Sequence, residues 1–530
     1  MRVRLLSPDH ELDLDADPPW PAPDLVVDLQ LDPVLDAMAD GDALIRRVAT
    51  QVLLAPLNAP GSIVYRQEVA ADCEQREDVV RRLYVVAGEA LESLRHLYPG
   101  FLRRTPEMVV RDSTEVIATL LPHLRVVADV AAAALAGSLP SQSRHGSGLH
   151  RLFSDLVTEL DDACFADLDT QLRRLAFPGG MVVGKRLGTG LAGVGDVLHP
   201  PAKQHLVDRL GLGDHPSLSF ELAARDEAGS QLLSDLRDRA LVPLAPAASQ
   251  AQEDVKSFFR GLRTELAFYL GCLNLRRQLT EAGGVTCRPD LAPPGTGQWN
   301  AHGLYDPGLL LRHPTATAVG NDLEADDRAA VVLTGANSGG KSTFLRAVGV
   351  ATLMAQSGMF VCGSDWTSSV RSGIFTHFVR EEDATMASGR LDDELVRLRR
   401  IVVALRPDGL VLLNETLAST NESEAADLGV EAVDGLVAAG VQVVLVTHQY
   451  ALAAKLGGGP DRLFLRAGRA DDGRRTFQLL PGPPLRTSFA DDLYARMGPW
   501  PEDSARGPAG GPAGGSPGPG AADDPSPVSP

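Results

Sequence analysis

Gly335-Ala336-Asn337-Ser338-Gly339-Gly340-Lys341-Ser342 is the stretch that decides how this 530-residue chain is read. The eight residues fit the pattern G-x-x-x-x-G-K-[ST], in which glycines let successive backbone N–H groups wrap a polyphosphate. An apolar run at 329–334 precedes them and a helical run at 343–356 follows. The loop therefore opens a helix, whose N-terminal dipole favours an anion. In that setting the Lys341 ammonium reaches the β and γ phosphates, and the Ser342 hydroxyl ligates Mg²⁺. A ligand-free Gly-rich turn would have to produce the octet and both flanks by chance. The loop predicts a nucleotide site.

Working outward, apolar runs at 409–413 and 441–447 read as further buried strands, each flanked by helical segments. Strands alternating with helices predict an α/β domain with a mainly parallel sheet. The second strand ends in Asn414-Glu415, where phosphate-loop ATPases place a Mg²⁺ partner followed by the residue that polarises water. Asn414 is a neutral and weaker ligand for a hard cation, while Glu415 keeps the carboxylate of a general base. His448 follows the third strand and is expected to sense the γ-phosphate. Ser388-Gly389-Arg390 leads into a helical run (Leu391, Leu395, Leu398, Val402, Leu405), so it either caps that helix or offers backbone N–H groups to a phosphate.

The order of these motifs is that of ABC-type ATPases, and their wording is closer still. TGANSGGKST (334–343), ASGR (387–390), LVLLNETLAST (410–420), VTHQYAL (446–452) and the upstream Arg312-His313-Pro314 resemble the ATPase domain of the MutS family. The likeness extends more weakly to 42–97 and 255–283, which resemble that family's helical core and lever. What the resemblance implies is a homodimer or heterodimer with composite ATP sites, and the homodimer is the reading adopted. Gly335, Asn337, Ser338, Gly339, Gly340, Lys341, Ser342 and Thr343 would bind the nucleotide in one subunit, and Ser388 and Gly389 would complete the site of the other. Lys341, Glu415 and His448 would serve hydrolysis, Ser342 and Asn414 would hold Mg²⁺, and Thr420 and Asn421 would lie at the dimer interface. Double-stranded or branched DNA is the implied partner. Several features depart from the family pattern. No Phe-x-Glu wedge occurs in the chain, and only about 36 residues precede the helical core, so mismatch reading is not expected. The neighbourhood expected to stack on adenine holds Thr317, Ala318 and Val319, with no aromatic.

The rest of the chain is divided by texture. Residues 1–36 hold nine acidic and two basic residues and four prolines between 18 and 23, which predicts an acidic, extended arm. Residues 37–176 are helical in texture, with Val80, Leu83, Ala87, Leu91 and Leu94 at three-to-four spacing, and form the first half of the helical core and lever. Residues 177–250 are rich in Gly and Pro and predict short strands and turns, an insertion in place of the family's DNA clamp. An apolar stripe from Val255 to Leu273 predicts the returning lever helix over 251–288. Residues 289–500 form the ATPase domain, and 501–530, with 8 Pro and 7 Gly, read as a disordered tail. The fold class is thus an α/β, ABC-type P-loop ATPase domain joined to a mainly α-helical core and lever with a small Gly-rich β insertion.

Composition narrows the function classes. Five scattered cysteines fit neither a zinc ribbon nor a disulfide framework. No signal segment or spanning run is read, which predicts a cytoplasmic protein without a membrane partner. Gly188-Thr189-Gly190-Leu191-Ala192-Gly193 matches a dinucleotide fingerprint, but Gly195, Pro200 and Pro201 follow where a helix is needed, so a Gly-rich hairpin is the better reading. The net charge of −19 disfavours a DNA-coating protein. However, −10 of it falls in 1–36 and 501–530, two segments expected to lie outside the folded core. Two alternatives remain open: an ABC-type nucleotide-binding subunit of another machine, and an ATP-switched scaffold with little turnover.

Overall fold

The computed structural model describes residues 2–97, 105–137, 148–178, 180–191, 193–199, 221–223, 225–315, 317–335, 339–379, 390–417, 421–470 and 474–484. Its helical body contains α1 (Ala22–Asp28), α2 (Asp32–Ala39), α3 (Ala43–Leu54), α4 (Pro60–Gln75), α5 (Glu77–Ser93), α6 (Pro106–Ala136), α7 (Gly148–Glu159) and α8 (Asp162–Leu175). A hairpin of β1 (Val182–Leu187) and β2 (Gly193–His199) follows, then α9 (Glu227–Leu241) and the 37-residue α10 (Ala245–Glu281). Helix α10 is the axis of this body. Its Phe258, Phe259, Leu262, Leu266, Tyr269, Leu270 and Leu273 are all buried, and α2, α3, α5 and α6 pack around it.

The α/β part runs through β3 (Thr286–Cys287), β4 (Asp290–Ala292), β5 (Trp299–Leu304), α11 (Pro307–Arg312), β6 (Asn321–Glu324), β7 (Ala330–Thr334), α12 (Lys341–Gln356), β8 (Val361–Cys362), β9 (Asp365–Ser369) and β10 (Ile374–Phe378). It continues through α13 (Arg390–Ala404), β11 (Leu410–Asn414), α14 (Glu422–Ala438), β12 (Gln442–Val446), α15 (Tyr450–Leu456), β13 (Arg462–Arg469) and β14 (Arg475–Pro481). Six strands form the main sheet in the order β10-β11-β12-β7-β13-β14, parallel except for β14. Each central strand sends alternate residues to opposite faces, as the pleat requires. In β7, Val331 and Leu333 join the large core shared with the helical body, while Ala330 and Val332 join a second core under α14 and α15. With both faces covered, β7, β11 and β12 read as the unbroken apolar runs seen in the sequence. Because they are parallel, their carboxyl ends lie along one edge, where open α/β sheets bind ligands.

Two expectations are corrected. Residues 1–36 are not an arm outside the core: Val3, Leu5, Leu6, Leu25, Leu29, Leu31, Val34 and Leu35 are at most 2% exposed. Pro23 and Pro33 lie in the first turns of α1 and α2, where a helix needs no N–H from them, so they start helices and do not block them. Even an acidic residue turns inward here, since Asp28 is buried and accepts from Arg397 Nη2 at 3.2 Å. Among the described residues of 177–250, the expected strand-and-turn texture is met by the hairpin, while 227–241 and 245–250 are helical. Asp226 caps α9, accepting from Gly229 N–H at 2.9 Å, and α10 is already helical at Ala245.

Helix α6 alone, among the described residues, is long and apolar enough to cross a membrane, with a mean hydropathy of 1.6. Its Val110, Leu120, Leu124, Val127 and Ala131 are instead buried, and the helix packs on α5, α7 and α10.

Candidate functional site

Strand β7 ends at Thr334 and is followed by Gly335, whose φ of +110° suits glycine; a Cβ there would meet Ala467 N at 3.1 Å. Gly340, φ +93°, caps α12 and starts its first turn. Ala336, Asn337 and Ser338 lie outside the described residues; Gly339, Lys341, Ser342 and Thr343 lie at the start of α12. Lys341 is 5% exposed, and its Nζ donates to Gly335 O at 2.9 Å. Burial pulls its pKa below the ordinary lysine value; Glu415 opposes that, and Arg475 adds to it. A buried cation held by a backbone carbonyl is placed to exchange that contact for phosphate oxygens.

The Ser342 hydroxyl donates to Asn414 Oδ1 at 3.0 Å, across from α12 to the end of β11. Both side chains offer neutral oxygens, a set suited to a hard cation that keeps most of its water. The paired hydroxyl and amide, next to the glycine cradle, fit Mg²⁺ and a polyphosphate. Glu415 follows with φ +53° and donates its backbone N–H to Val446 O at 3.0 Å. Its Oε2 lies 2.7 Å from His448 Nδ1 and also accepts His448 N–H at 3.2 Å. The strand order thus brings Lys341, Ser342, Asn414, Glu415 and His448 to one sheet edge. Ser388, Gly389 and Thr420 lie outside the described residues, and Asn421 caps α14, accepting Glu424 N–H at 3.0 Å.

Beside the loop is a cavity of about 460 Å³ lined in part by His313, Val319, Asn321, Thr343, Phe344 and Phe477. Aromatic side chains, Phe344 and Phe477 among them, line this cavity together with Thr317, Ala318 and Val319. Phe477 (φ +58°, 46% exposed) lies against Gly340, and Asn321 fixes its backbone by donating to Phe477 O at 3.1 Å. No local motif marks Phe477, because it arrives only where β14 turns back along β13. His313, from the Arg312-His313-Pro314 segment, lines the same cavity, while Arg312 Nη2 donates to Gln30 Oε1 at 2.9 Å.

Comparison with known families completes this picture. Residues 58–282 match the MutS2 N-terminal domain, and residues 331–457 match MutS domain V. The chain belongs to the MutS family. The MutS domain V match, an ATPase-type domain, takes in β7, the phosphate loop, Glu415 and His448. The chain is also similar to proteins named endonuclease MutS2. It is 31% identical over 198 residues to that of Geobacillus kaustophilus, covering 36% of this chain and 25% of the relative. It is 33% identical over 211 residues to that of Lacticaseibacillus casei, covering 36% and 26%. With the protein from Listeria monocytogenes serotype 4a it shares 30% over 208 residues, covering 37% and 26%. The matched stretch thus spans about a quarter of these relatives' length.

Proposed function

We propose that this MutS-family chain is an ATP-operated DNA-handling ATPase that works as a homodimer and turns over slowly. The observation that carries the reading is the convergence of Lys341, the Ser342–Asn414 pair and the Glu415–His448 pair on one sheet edge. Lys341 binds β and γ phosphate oxygens, releasing Gly335 O. Ser342 and Asn414 hold Mg²⁺, which when bound neutralises charge on the β and γ phosphates. Glu415 accepts a proton from the attacking water, and His448, oriented by Glu415, faces the γ-phosphate. Phe477 and His313 supply faces on which adenine stacks.

Ser388 and Gly389 of a second copy complete each site, so closure brings two ATPase domains together. The helical bodies follow that closure and hold double-stranded or branched DNA by its backbone, without reading mismatches. The cytoplasm is the fitting compartment. The relatives' matches support a MutS role over a subunit of an unrelated ABC machine. The second reading, an ATP-switched scaffold with little turnover, is favoured by the neutral Asn414.

The test measures ATP affinity and phosphate release together. Lys341→Ala is expected to weaken ATP binding by about a hundredfold, the loss of a charge-assisted contact to phosphate. Unchanged affinity would show that the nucleotide site is misassigned. Binding to homoduplex, mismatched and branched DNA over a salt series, with and without ATP, tests the DNA half; indifference to all three refutes it.

A further inference from the structure

Glu415 and Leu417 both adopt left-handed backbone, with φ of +53° and +63°. That conformation costs a non-glycine residue roughly 1–2 kcal/mol. Two such residues so close together persist only where their surroundings over-determine the turn. Here the surroundings are specific. Leu417, 1% exposed, donates its N–H to Glu394 Oε2 at 2.8 Å, and Glu394 is itself only 6% exposed. The Thr416 hydroxyl lies 3.1 Å from His377 Nδ1, and His377 Nε2 lies 3.0 Å from the Glu394 backbone carbonyl. A carbonyl only accepts, so Nε2 carries the ring proton, and the single Thr416 hydroxyl proton is shared between His377 Nδ1 and the His377 backbone carbonyl, each 3.1 Å away. His377 is fully buried, and burial followed by Arg397 lowers its pKa, which keeps that neutral tautomer.

Helix α13, which carries Glu394, docks on the end of β10 by the same means. Arg397, three residues beyond Glu394, donates to Phe378 O at 2.9 Å and to Asp28 at 3.2 Å. Two different atoms of Glu394 therefore reach two neighbours of the strand end, the carboxylate directly to Leu417 and the carbonyl through His377 to Thr416.

We propose that Glu394 and His377 are positioning residues for Glu415: they lock the 415–417 turn to helix α13, so that a shift of α13 releases the carboxylate. The proposal rests on the hydrolytic reading of Glu415. Once α13 moves, Leu417 loses its acceptor, the left-handed turn loses its main restraint, and Glu415 loses its aim at the water. Glu394→Gln keeps an acceptor for Leu417 N–H, whereas Glu394→Leu keeps much of the volume and removes it.

Two readouts separate the ideas in the full chain: hydrogen exchange of the peptide spanning 415–417, and phosphate release against ATP concentration. Leaving a buried N–H unsatisfied predicts that Glu394→Leu exchanges about tenfold faster there. At saturating ATP its kcat falls about tenfold while KM stays within about twofold, because the phosphate contacts are untouched. Glu394→Gln should remain within about threefold of the parent on both measures. Normal turnover in Glu394→Leu, or equal damage from Gln and Leu, overturns the proposal. If the parent binds ATP without hydrolysing it, the hydrolytic reading fails instead. Exchange alone then decides the lock: Leu must loosen the turn and Gln must not.

Discussion

Asn414→Asp is the change that most directly probes the site. Asn414 Oδ1 accepts from the Ser342 hydroxyl at 3.0 Å, so the side chain already points where a Mg²⁺ ligand must be. The substitution alters charge and almost nothing else, since the two side chains differ by one NH₂ group for O⁻. Two unit charges 4 Å apart at an effective dielectric of 20 interact by about 4 kcal/mol, and a divalent ion raises that figure. Against it stand desolvation of a half-buried carboxylate and repulsion from the adjacent Glu415. A net gain of about 1.4–3 kcal/mol remains, equivalent to a ten- to hundredfold tighter hold on the cation. The assay is phosphate release at saturating ATP as Mg²⁺ is titrated. The concentration of Mg²⁺ giving half-maximal rate should fall at least about tenfold. If the rate also rises strongly from a near-zero parent level, the switched-scaffold reading gains over the enzyme reading. An unchanged Mg²⁺ requirement refutes the assignment of residue 414 to the cation, because a side chain that holds Mg²⁺ cannot be indifferent to a new negative charge.

Phe477→Ala should weaken ATP by about 1–3 kcal/mol, the worth of one stacked base, while leaving inorganic tripolyphosphate affinity unchanged; competition of the two against a fluorescent ATP analogue checks this, and equal losses would remove Phe477 from base recognition. Glu265 on α10 is 1% exposed and accepts the N–H of Leu6 at 3.0 Å as well as that of Leu5, yet burial raises its pKa to about 7. In this raised-pKa case the folded chain holds a proton that the unfolded chain, with a carboxyl near 4.5, has lost. Stability therefore falls as pH rises from about 4.5 to about 7, by up to about 3 kcal/mol, and levels off above. Glu265→Gln should flatten the melting temperature across that window, and a slope that survives in the variant rules out Glu265 as its source.

The parts of the fold legible in the sequence are those whose burial is total. Strands β7, β11 and β12 are covered on both faces, so their apolar runs are unbroken and their order fixes the edge at which Glu415 and His448 meet. Strand β13 carries Arg462, Arg466 and Arg469, and β14 is an edge strand with exposed residues; neither has such a run. The N-terminal segment misled for a different reason. Most of its acidic residues face solvent, Asp28 being the buried exception, while Leu5, Leu6, Leu25 and Leu29 face inward, and proline at a helix start looks the same in sequence as proline that breaks a helix. Phe477, Glu394 and His377 were not legible at all. Each acts on a partner far along the chain, and a single residue in an ordinary helix or strand carries no periodicity to betray it.

Residues 1–36 carry nine acidic and two basic residues, and their burial against the core makes that charge part of the folded body and not of an arm outside it. What matters more is mechanical continuity. Helix α12 begins at Lys341 and ends at Gln356, 16 residues and about 24 Å away. At its far end Gln356 Nε2 donates to Leu57 O at 2.8 Å, and Leu57 N–H returns the bond to Gln356 O at 2.9 Å. The Ser357 hydroxyl donates to Val52 O at 3.4 Å, and Arg66 on α4 donates to Leu6 O at 2.6 Å and to Ser357 O at 3.5 Å. Leu57 leads directly into α4, and α12 and the helical body share one continuous apolar core. A close-packed core and an unbroken helix have little compliance, so a displacement at the phosphate loop is not absorbed along α12. Residues 52–66 form the junction where the helical body meets the sheet, and Glu265 and Arg66 hold the N-terminal segment there. That segment is thus part of the joint between the two halves of the molecule, which explains why Leu5, Leu6, Leu25 and Leu29 are buried so deeply in an otherwise acidic stretch.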